Sequence, residues 1–285
     1  MRIEGGCQMG DVLKGLAPSG RSIPTGLSGL PGMGYLLTGG MGPLSRAVGL
    51  AVDHIQSIAG VWGNGTAFRL TREQHEGLAE WRGLCGAAPF LAVISEVVLN
   101  TQPLQPLWIH QCAGDAEQLI EWMAAAEATD WGVALQWHWG VGNTIEGLWV
   151  RQAAAADHQA IDGLHALPPL TSPIKSHQRL HAEVVGLLGP ADSSGWRQRM
   201  PELQQLMDRR PHPGCSLSAQ QLGGAVSRVA ADDTSFIHRD AVWKPWITAV
   251  WPAGDVVCRQ RSLDWLEQVW GLLHPVCPGV HLAQL

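Results

Sequence analysis

The sequence has few charged residues and, apart from tryptophan, few aromatic ones. Only 15% of its 285 residues are charged, and one tyrosine and three phenylalanines stand against 14 tryptophans. The net charge is −6 and lysine and arginine form no cluster, which argues against a nucleic-acid-binding surface. A hydrophobic content of 46% predicts a folded globular protein of one or two domains. We interpret the tryptophan excess as core and pocket lining, with a stacking platform for a planar ligand as the alternative.

Segments that would place the chain in a membrane or outside the cell are also missing. No uninterrupted apolar run reaches the length of a membrane span, and no apolar stretch typical of a secretion signal follows Met1. The six cysteines are scattered without a Cys-x-x-Cys pair, a pattern typical of reduced thiols. We therefore expect a cytoplasmic protein with neither a membrane nor a nucleic acid as its partner.

Common catalytic motifs are absent as well. The chain has no Gly-x-Ser-x-Gly turn and no phosphate-binding loop ending in Gly-Lys. His177 and His181 are spaced for one helix face, but no third ligand and no adjacent glutamate accompany them, so we predict no metal site. His138, His238 and His281 are candidate bases because histidine titrates near neutral pH, although a structural role is the more common one.

Glycine is concentrated between residues 26 and 42. The stretch contains Gly26, Gly29, Gly32, Gly34, Gly39, Gly40 and Gly42. Because glycine packs no side chain and loses much entropy in regular structure, this density predicts neither a helix nor a regular strand. It favours a backbone that turns sharply or approaches another group closely. The segment Gly29–Gly34 superficially resembles a dinucleotide fingerprint, but the strand, helix and acidic residue that the motif needs are not evident, and a plain surface loop is the alternative.

Periodicity and capping patterns predict helices and strands throughout the chain. Before residue 102 the first predicted elements are a helix over 11–16 and strands over 55–62 and 67–70, which flank the hairpin signal Asn64-Gly65. A helix follows from the capping pair Thr71 and Gln74 to about Arg82, and then a buried strand over 91–99. After residue 102 they are a helix over 116–128 capped by Asp115, helices over 157–165 and 197–210, and a helix begun by Ser262 with Leu263, Leu266, Trp270 and Leu273 inward. The predicted strands are 132–139, 147–151, 224–229 and 246–251. Helices packed on one side of a mostly antiparallel sheet, an α+β fold, satisfy this pattern.

Glycine motifs in residues 1–55 are arranged as in a known family of flavoproteins. A Gly-Gly pair at residues 5–6 is followed by the stretches Gly26–Gly34, Thr38–Arg46 and Gly49–His54. They resemble the second half of the FAD-binding domain in the family of vanillyl-alcohol oxidase, p-cresol methylhydroxylase (PCMH) and berberine bridge enzyme. In that family Gly-Leu-Cys-Pro-Thr-Val-Gly-x-Gly-Gly precedes a Gly-Gly-Gly-x-Gly stretch and then Gly-Leu-x-x-Asp-Asn.

Two later stretches strengthen the resemblance. The stretch Trp81–Ser95 is similar to the family's Leu-Arg-Gly segment that ends in Phe-Gly-Val-Val-Thr, and Leu222–Ala241 looks like a strand and turn of the substrate domain in the berberine-bridge-like branch. The resemblance implies three parts. Residues 1–101 are the second part of a PCMH-type FAD-binding domain, 102–245 a substrate domain of antiparallel sheet covered by helices, and 246–285 a C-terminal berberine-bridge-like segment.

The resemblance implies an FAD-dependent oxidoreductase. Hydride would pass from a small alcohol, amine or sugar-like substrate to the flavin, and dioxygen would reoxidise the cofactor. Glycine loops suit such a cofactor because they let backbone N–H groups approach a pyrophosphate and a flat ring. The cofactor-lining residues that it implies are Leu30, Pro31, Gly32, Gly34, Thr38, Gly39, Gly40, Gly42, Asp53 and Val93. It assigns no catalytic base.

Departures from the family pattern limit what carries over. The family's Arg-x-Gly-Gly-His loop, which wraps the pyrophosphate and often bonds the flavin through its histidine, has no counterpart in this sequence, and Ser28 stands where some members have a second, cysteine anchor. We therefore expect FAD to bind non-covalently if it binds, and we expect the chain to be truncated at its N-terminal side. Tyr35 and Met41 also replace family glycines. A flavin-free relative that keeps the fold as a binding or scaffold protein, and a poorly folding remnant, are the alternatives.

Overall fold

The structure, a computed structural model, describes residues 1–26, 28–142, 144–154, 157, 160–161 and 179–284. These residues form two compact units. The first contains Met1–Ile109, the described part of 150–168 and Gly223–Arg239, and the second contains His110–Trp149, the described part of 169–222 and Asp240 onward. The units are discontinuous in sequence, whereas the predicted domains are continuous segments.

Helices and strands alternate along the chain. The α-helices are α1 (Met9–Leu16), α2 (Met33–Leu37), α3 (Ser45–Val48), α4 (Arg72–His75), α5 (Ala79–Ala87), α6 (Ala116–Ala128), α7 (Ser193–Asp208) and α8 (Val256–Leu273). The strands are β1 (Arg2–Glu4), β2 (Arg21–Ser22), β3 (Ile55–Trp62), β4 (Ala67–Thr71), β5 (Ala92–Leu99), β6 (Gln102–Pro103), β7 (Leu107–Gly114), β8 (Val133–Trp139), β9 (Ile145–Gln152), β10 (Ala160–Ile161), β11 (Leu180–Leu188), β12 (Ser216–Gln221), β13 (Trp243–Pro252) and β14 (Gly279–Val280). Short 3-10 helices lie at Ala17–Ser19, Ala51–His54, Ala88–Phe90 and Gly224–Arg228.

The first unit is built on an antiparallel sheet in the order β1-β5-β3-β4. The predicted hairpin between β3 and β4 is confirmed, and Gly65 takes a φ of 85° in its turn, a conformation that favours glycine. Ile55, Ile58, Val97 and Leu99 are buried on this sheet and anchor the core of the unit.

Two predictions for the glycine-rich first part are wrong. The stretch 26–42 contains the five-residue helix α2, because Met33, Leu36 and Leu37 find buried positions and their packing outweighs the neighbouring glycines. The predicted helix from Thr71 to Arg82 is instead split into α4 and α5, since Gly77 takes a φ of 85° between them, and the Thr71 side chain makes no capping bond.

Strand β5 forms where it is predicted, but it is not buried along its whole length. Its residues alternate in burial, Val97 and Leu99 lie in the core, and Val93 is exposed. A continuous apolar run was the basis of the prediction, and such a run does not reveal which of its residues face solvent.

The second unit is built on a sheet with the strand order β7-β9-β8-β12-β13-β11-β14, in which β8, β12, β13, β11 and β14 pair antiparallel. Helices α6, α7 and α8 contribute Leu119, Leu203 and Val269 to a core that also contains Trp137 and Ile247 of the sheet. The predicted Asp115 cap is confirmed, with its carboxylate accepting from two backbone N–H groups of α6. The predicted α+β fold class is confirmed.

Other predictions in the later part need correction. Residues 224–228 form a 3-10 helix instead of a strand, because Gly223 and Gly224 both take positive φ. Helix α8 begins at Val256 under the Asp255 cap, while Ser262 lies within it and donates to the Val250 carbonyl at 2.8 Å. Its inward side chains include Trp265, Val269, Leu272 and Leu273. Strands β11 and β12 are missed by the sequence patterns. The predicted helix over 157–165 is wrong at Ala160 and Ile161, which form strand β10, and apart from these two residues and Asp157 it lies outside the described residues.

No helix in the described part of the chain is both long and apolar enough to cross a membrane. Among the same residues no group of three histidine, cysteine or acidic side chains could hold a metal ion. His177, half of the spaced histidine pair, lies outside them.

Candidate functional site

Three of the predicted cofactor-lining residues of the first unit, Leu30, Gly34 and Val93, are exposed, and we call them the exposed rim. Leu30 and Val93 each keep 75% of their surface exposed, an unusual position for large apolar side chains. Gly34 is exposed, and a Cβ added to it would meet no atom within 4 Å. Pro31 and Gly32, which follow Leu30 along the chain, are half-buried. This rim offers apolar surface and an unobstructed backbone.

The other loop residues pack against their own protein. Thr38, Gly39, Gly40 and Gly42 are buried. A Cβ on Gly42 would lie 1.7 Å from the Thr25 carbonyl oxygen. One on Gly40, whose φ is 69°, would lie 2.4 Å from the Ala51 Cβ. The chain therefore needs glycine at 40 and 42 for its own packing, and the predicted cofactor role of these four residues stays a prediction.

Asp53 has a structural partner. Both of its carboxylate oxygens accept from Arg239, Oδ1 at 2.8 Å and Oδ2 at 3.0 Å, and Oδ2 also accepts from the Leu50 N–H at 2.9 Å. The predicted contact of Asp53 with a cofactor likewise stays a prediction.

The second unit carries a row of polar side chains on one face of its sheet. Opposed residues on neighbouring antiparallel strands share a face. On β8, β12 and β13 the opposed residues of one face form three rungs across the strands. The first contains Gln136, Gln220 and Lys244, the second His138, Ser218 and Trp246, and the third only Ser216 and Thr248. The intervening rungs, such as Trp139–Leu217–Ile247, belong to the helix-covered core. We call the eight residues of the three rungs the polar face: Gln136, His138, Ser216, Ser218, Gln220, Lys244, Trp246 and Thr248.

Most of the polar face is removed from solvent. Gln136, Ser216, Ser218, Gln220 and Lys244 are all buried. Burying so many amide, hydroxyl and amine groups together costs free energy unless they have partners. Such a cost is typical of a functional surface, because a purely structural sheet would place apolar residues there.

Lys244 is the unusual member of the polar face. Burial lowers the pKa of its amine to about 7. Its Nζ donates to the Gln284 side-chain oxygen and lies 4.5 Å from the centre of the Trp246 ring. A lysine with such a pKa is partly neutral at physiological pH and can accept a proton.

His138 is less suited to that task. Burial, with a smaller contribution from the Arg210 charge, lowers its pKa to about 4, and its Nδ1 is 2.8 Å from the Ser218 hydroxyl oxygen. The ring is therefore neutral and only weakly basic at pH 7. His238 lies in the first unit, and His281 is buried in the second.

Lys244 was not among the sequence-based candidates, although a signal for it exists. The chain has only three lysines, and this one interrupts an apolar segment that is predicted as a strand from residue 246. A charged residue in such a segment predicts either an edge position or a buried functional amine. The partners on β12 could not be identified, because that strand was not recognised.

Comparisons with known proteins agree with this architecture. An FAD-linked oxidoreductase of Dictyostelium discoideum is 23% identical over 300 residues, covering 97% of this chain and 65% of the relative. The uncharacterized FAD-linked oxidoreductase YgaK of Bacillus subtilis is 22% identical over 293 residues, covering 93% and 64%. The chain thus spans slightly less than two thirds of these relatives. No protein-family model matches it.

Solved structures show the same fold. A berberine-bridge-enzyme-like protein of Arabidopsis thaliana superimposes with a TM-score of 0.82 and 14% identity, covering 100% of this chain and 67% of the other. A chitooligosaccharide oxidase gives a TM-score of 0.74 and 16% identity, with coverages of 94% and 66%. The resemblance to FAD-linked oxidoreductases with a berberine-bridge-like fold, predicted from the glycine motifs, is confirmed.

Proposed function

We propose that this chain acts in an FAD-dependent oxidoreductase that takes hydride from a small alcohol, amine or sugar-like substrate. The polar face carries the proposal, because it combines buried hydrogen-bonding groups with an amine whose pKa lies near neutrality. The named relatives, which are FAD-linked oxidoreductases, support the cofactor. The matched chitooligosaccharide oxidase supports a hydroxyl-bearing substrate and dioxygen as the final oxidant.

The exposed rim of the first unit fits a flavin in part. Leu30 and Val93 each offer apolar surface that a bound cofactor could cover, and Gly34 leaves its backbone open to a close approach. When bound, FAD would accept the hydride and pass electrons onward. Because Ser28 stands in place of a cysteine, we expect the bound flavin to be held non-covalently by these residues.

In this proposal Lys244 is the base. Its neutral amine takes the proton from the substrate O–H or N–H while hydride leaves the adjacent carbon. The ammonium that forms donates to Gln284 and lies against the Trp246 ring, so it keeps two stabilising contacts. The amides of Gln136 and Gln220 and the hydroxyl of Ser218 can hydrogen-bond a hydroxyl-bearing substrate.

The test is anaerobic flavin reduction by the purified chain with added FAD, over a panel of small alcohols, amines and sugars. Lys244→Met should lower the rate at least about 100-fold, the ordinary contribution of a general base. The matched control is Lys14→Met, because Lys14 is an exposed lysine of α1. For the active chain we expect the rate to rise with pH through about 7, as the Lys244 amine loses its proton. Full activity of the Lys244→Met variant would contradict the proposal.

The flavin-free alternative has one observation in its favour. Gly40 and Gly42 are explained by contacts within the protein, so their presence does not require a cofactor. A chain that folds cooperatively and binds no FAD at any concentration would support a binding or scaffold role. A chain without a cooperative melting transition would instead point to a poorly folding remnant.

A further inference from the structure

We propose that Gln284 is a positioning residue for Lys244, and that Gly186 provides the space for the Gln284 side chain. The segment 281–284 would then belong to the functional site of the second unit. The catalytic meaning of this inference rests on the proposed function, whereas the coupling of the two side chains can be measured without it.

Backbone hydrogen bonds fix the segment beside β11. The Gly186 N–H donates to the Gln284 carbonyl at 2.9 Å, and the His281 N–H donates to the Gly186 carbonyl at 2.9 Å. The Gln284 N–H in turn donates to the His281 carbonyl at 2.9 Å. Residues 281 and 284 are therefore both tied to one position of the sheet.

Gly186 lies on the same side of the sheet as the polar face, because it is opposed to Trp246 in the antiparallel register. A Cβ at Gly186 would lie 2.4 Å from the Gln284 side-chain oxygen and 3.1 Å from its Cβ. The φ of Gly186 is not positive, so its backbone conformation does not call for glycine. The glycine is explained by the side chain that lies over it.

The direction of the hydrogen bond suits a lysine base. Lys244 donates to the Gln284 oxygen, so the bond uses an N–H and leaves the lone pair of the neutral amine available for a proton. An amide oxygen also accepts from the ammonium form, and does so more strongly because that bond is charge-assisted, but it adds no net charge. A carboxylate at the same place would instead favour the ammonium.

The surroundings contain few competing charges. The neighbour of Lys244 on β12 is the neutral Gln220, and the pKa of Lys244 is lowered by burial. On the adjoining strand β11, His181 and Glu183 lie opposite Trp251 and Ala249, on the other face of the sheet from Lys244. His281 lies in the same segment as Gln284, and His138 lies on the second strand away. The latter is neutral at pH 7 because burial and the Arg210 charge lower its pKa to about 4.

The experiment is a pH titration of the full chain labelled with ¹³C-lysine, which gives signals from Lys14, Lys175 and Lys244 alone. Gln284→Glu should raise the pKa of Lys244 by about one unit or more, and Gln284→Leu should lower it. Gly186→Ala, which displaces the amide without altering either partner, should act like Gln284→Leu. Gly271→Ala on α8, where an added Cβ meets no atom within 4 Å, is the matched control.

The outcomes separate the two proposals. If Gln284→Glu and Gln284→Leu leave the titration unchanged, or move it in the same direction, the inference is wrong. If the titration moves as expected and the pH profile of flavin reduction moves with it, Gln284 positions the base. If the titration moves but an active enzyme keeps its profile, the positioning role is wrong. If the titration moves and no flavin is reduced at all, the coupling holds and the proposed function fails. Gly186→Ala tests the same contact if Gln284→Glu does not fold.

Discussion

Arg239 donates hydrogen bonds from both terminal nitrogens to the carboxylate of Asp53, which lies 186 positions earlier in the sequence. Nη2 lies 2.8 Å from Oδ1 and Nη1 lies 3.0 Å from Oδ2, and both side chains are largely buried. Arg239 also donates to the Thr234 hydroxyl oxygen and the Phe236 carbonyl, so all of its hydrogen-bonding edges are used locally. The pair fastens the segment Gly223–Arg239 to the 3-10 helix at Ala51–His54 within the first unit.

Removing the arginine alone should be costly. Arg239→Leu leaves the Asp53 carboxylate buried without its countercharge, and we expect the free energy of unfolding to fall by about 3–5 kcal/mol in urea titrations. The double variant Arg239→Leu with Asp53→Leu should recover part of that loss. Arg69→Leu, which removes an exposed partner of Glu96, is the control and should change stability far less. Equal losses from Arg239→Leu and Arg69→Leu would contradict the importance of the buried pair.

The glycines of residues 26–42 should differ in how well they tolerate substitution by alanine. Gly42→Ala forces a Cβ against the Thr25 carbonyl, so we expect a loss of about 3 kcal/mol or more, or a failure to fold. Gly34→Ala meets open space within α2 and should leave stability unchanged or slightly higher. Thermal melts of both variants give the comparison. A tolerated Gly42→Ala would show that packing does not explain that glycine.

The neutral His138 should make stability depend on pH. Its pKa is about 4 in the folded chain against 6.5 when unperturbed, so the unfolded chain binds more protons between these values. Stability should therefore fall as the pH drops from about 6.5 to 4, by up to about 3 kcal/mol from this residue. Urea unfolding at pH 7 and 4.5 measures the slope, and His138→Gln should reduce it. A slope that the substitution leaves unchanged would mean that His138 is not the cause.

Sequence patterns correctly predicted the elements that depend on interactions between neighbouring residues. The hairpin at Gly65 and the Asp115 cap depend on neighbouring residues, and both are found where predicted. Helix α2 could not be predicted, because it packs against α5 and the 3-10 helices at Ala51–His54 and Ala88–Phe90, which are distant in sequence. Strand β12 was missed because its Ser216 and Ser218 are buried polar residues, which the alternation of apolar and polar residues does not reveal.

The candidate site divides in the same way. The glycine motifs predicted the resemblance to FAD-linked oxidoreductases, since their spacing is a property of the sequence alone. The polar face depends on the register of three strands, which brings Gln136, Gln220 and Lys244 together although 108 positions separate the first from the last. Register is set by tertiary pairing, so the polar partners that support Lys244 as a candidate base could be recognised only in the fold.

The most direct test of the account is a titration of the purified chain with FAD, followed by flavin fluorescence and visible absorbance. We expect saturable binding that Leu30→Glu and Val93→Glu each weaken at least about tenfold, since a carboxylate on the rim would repel the pyrophosphate and break the apolar contact. Val256→Glu, at an exposed valine of α8, should leave the affinity unchanged. Absence of saturable binding by a cooperatively folded chain, or equal affinity in all three variants, would contradict the flavin-binding account.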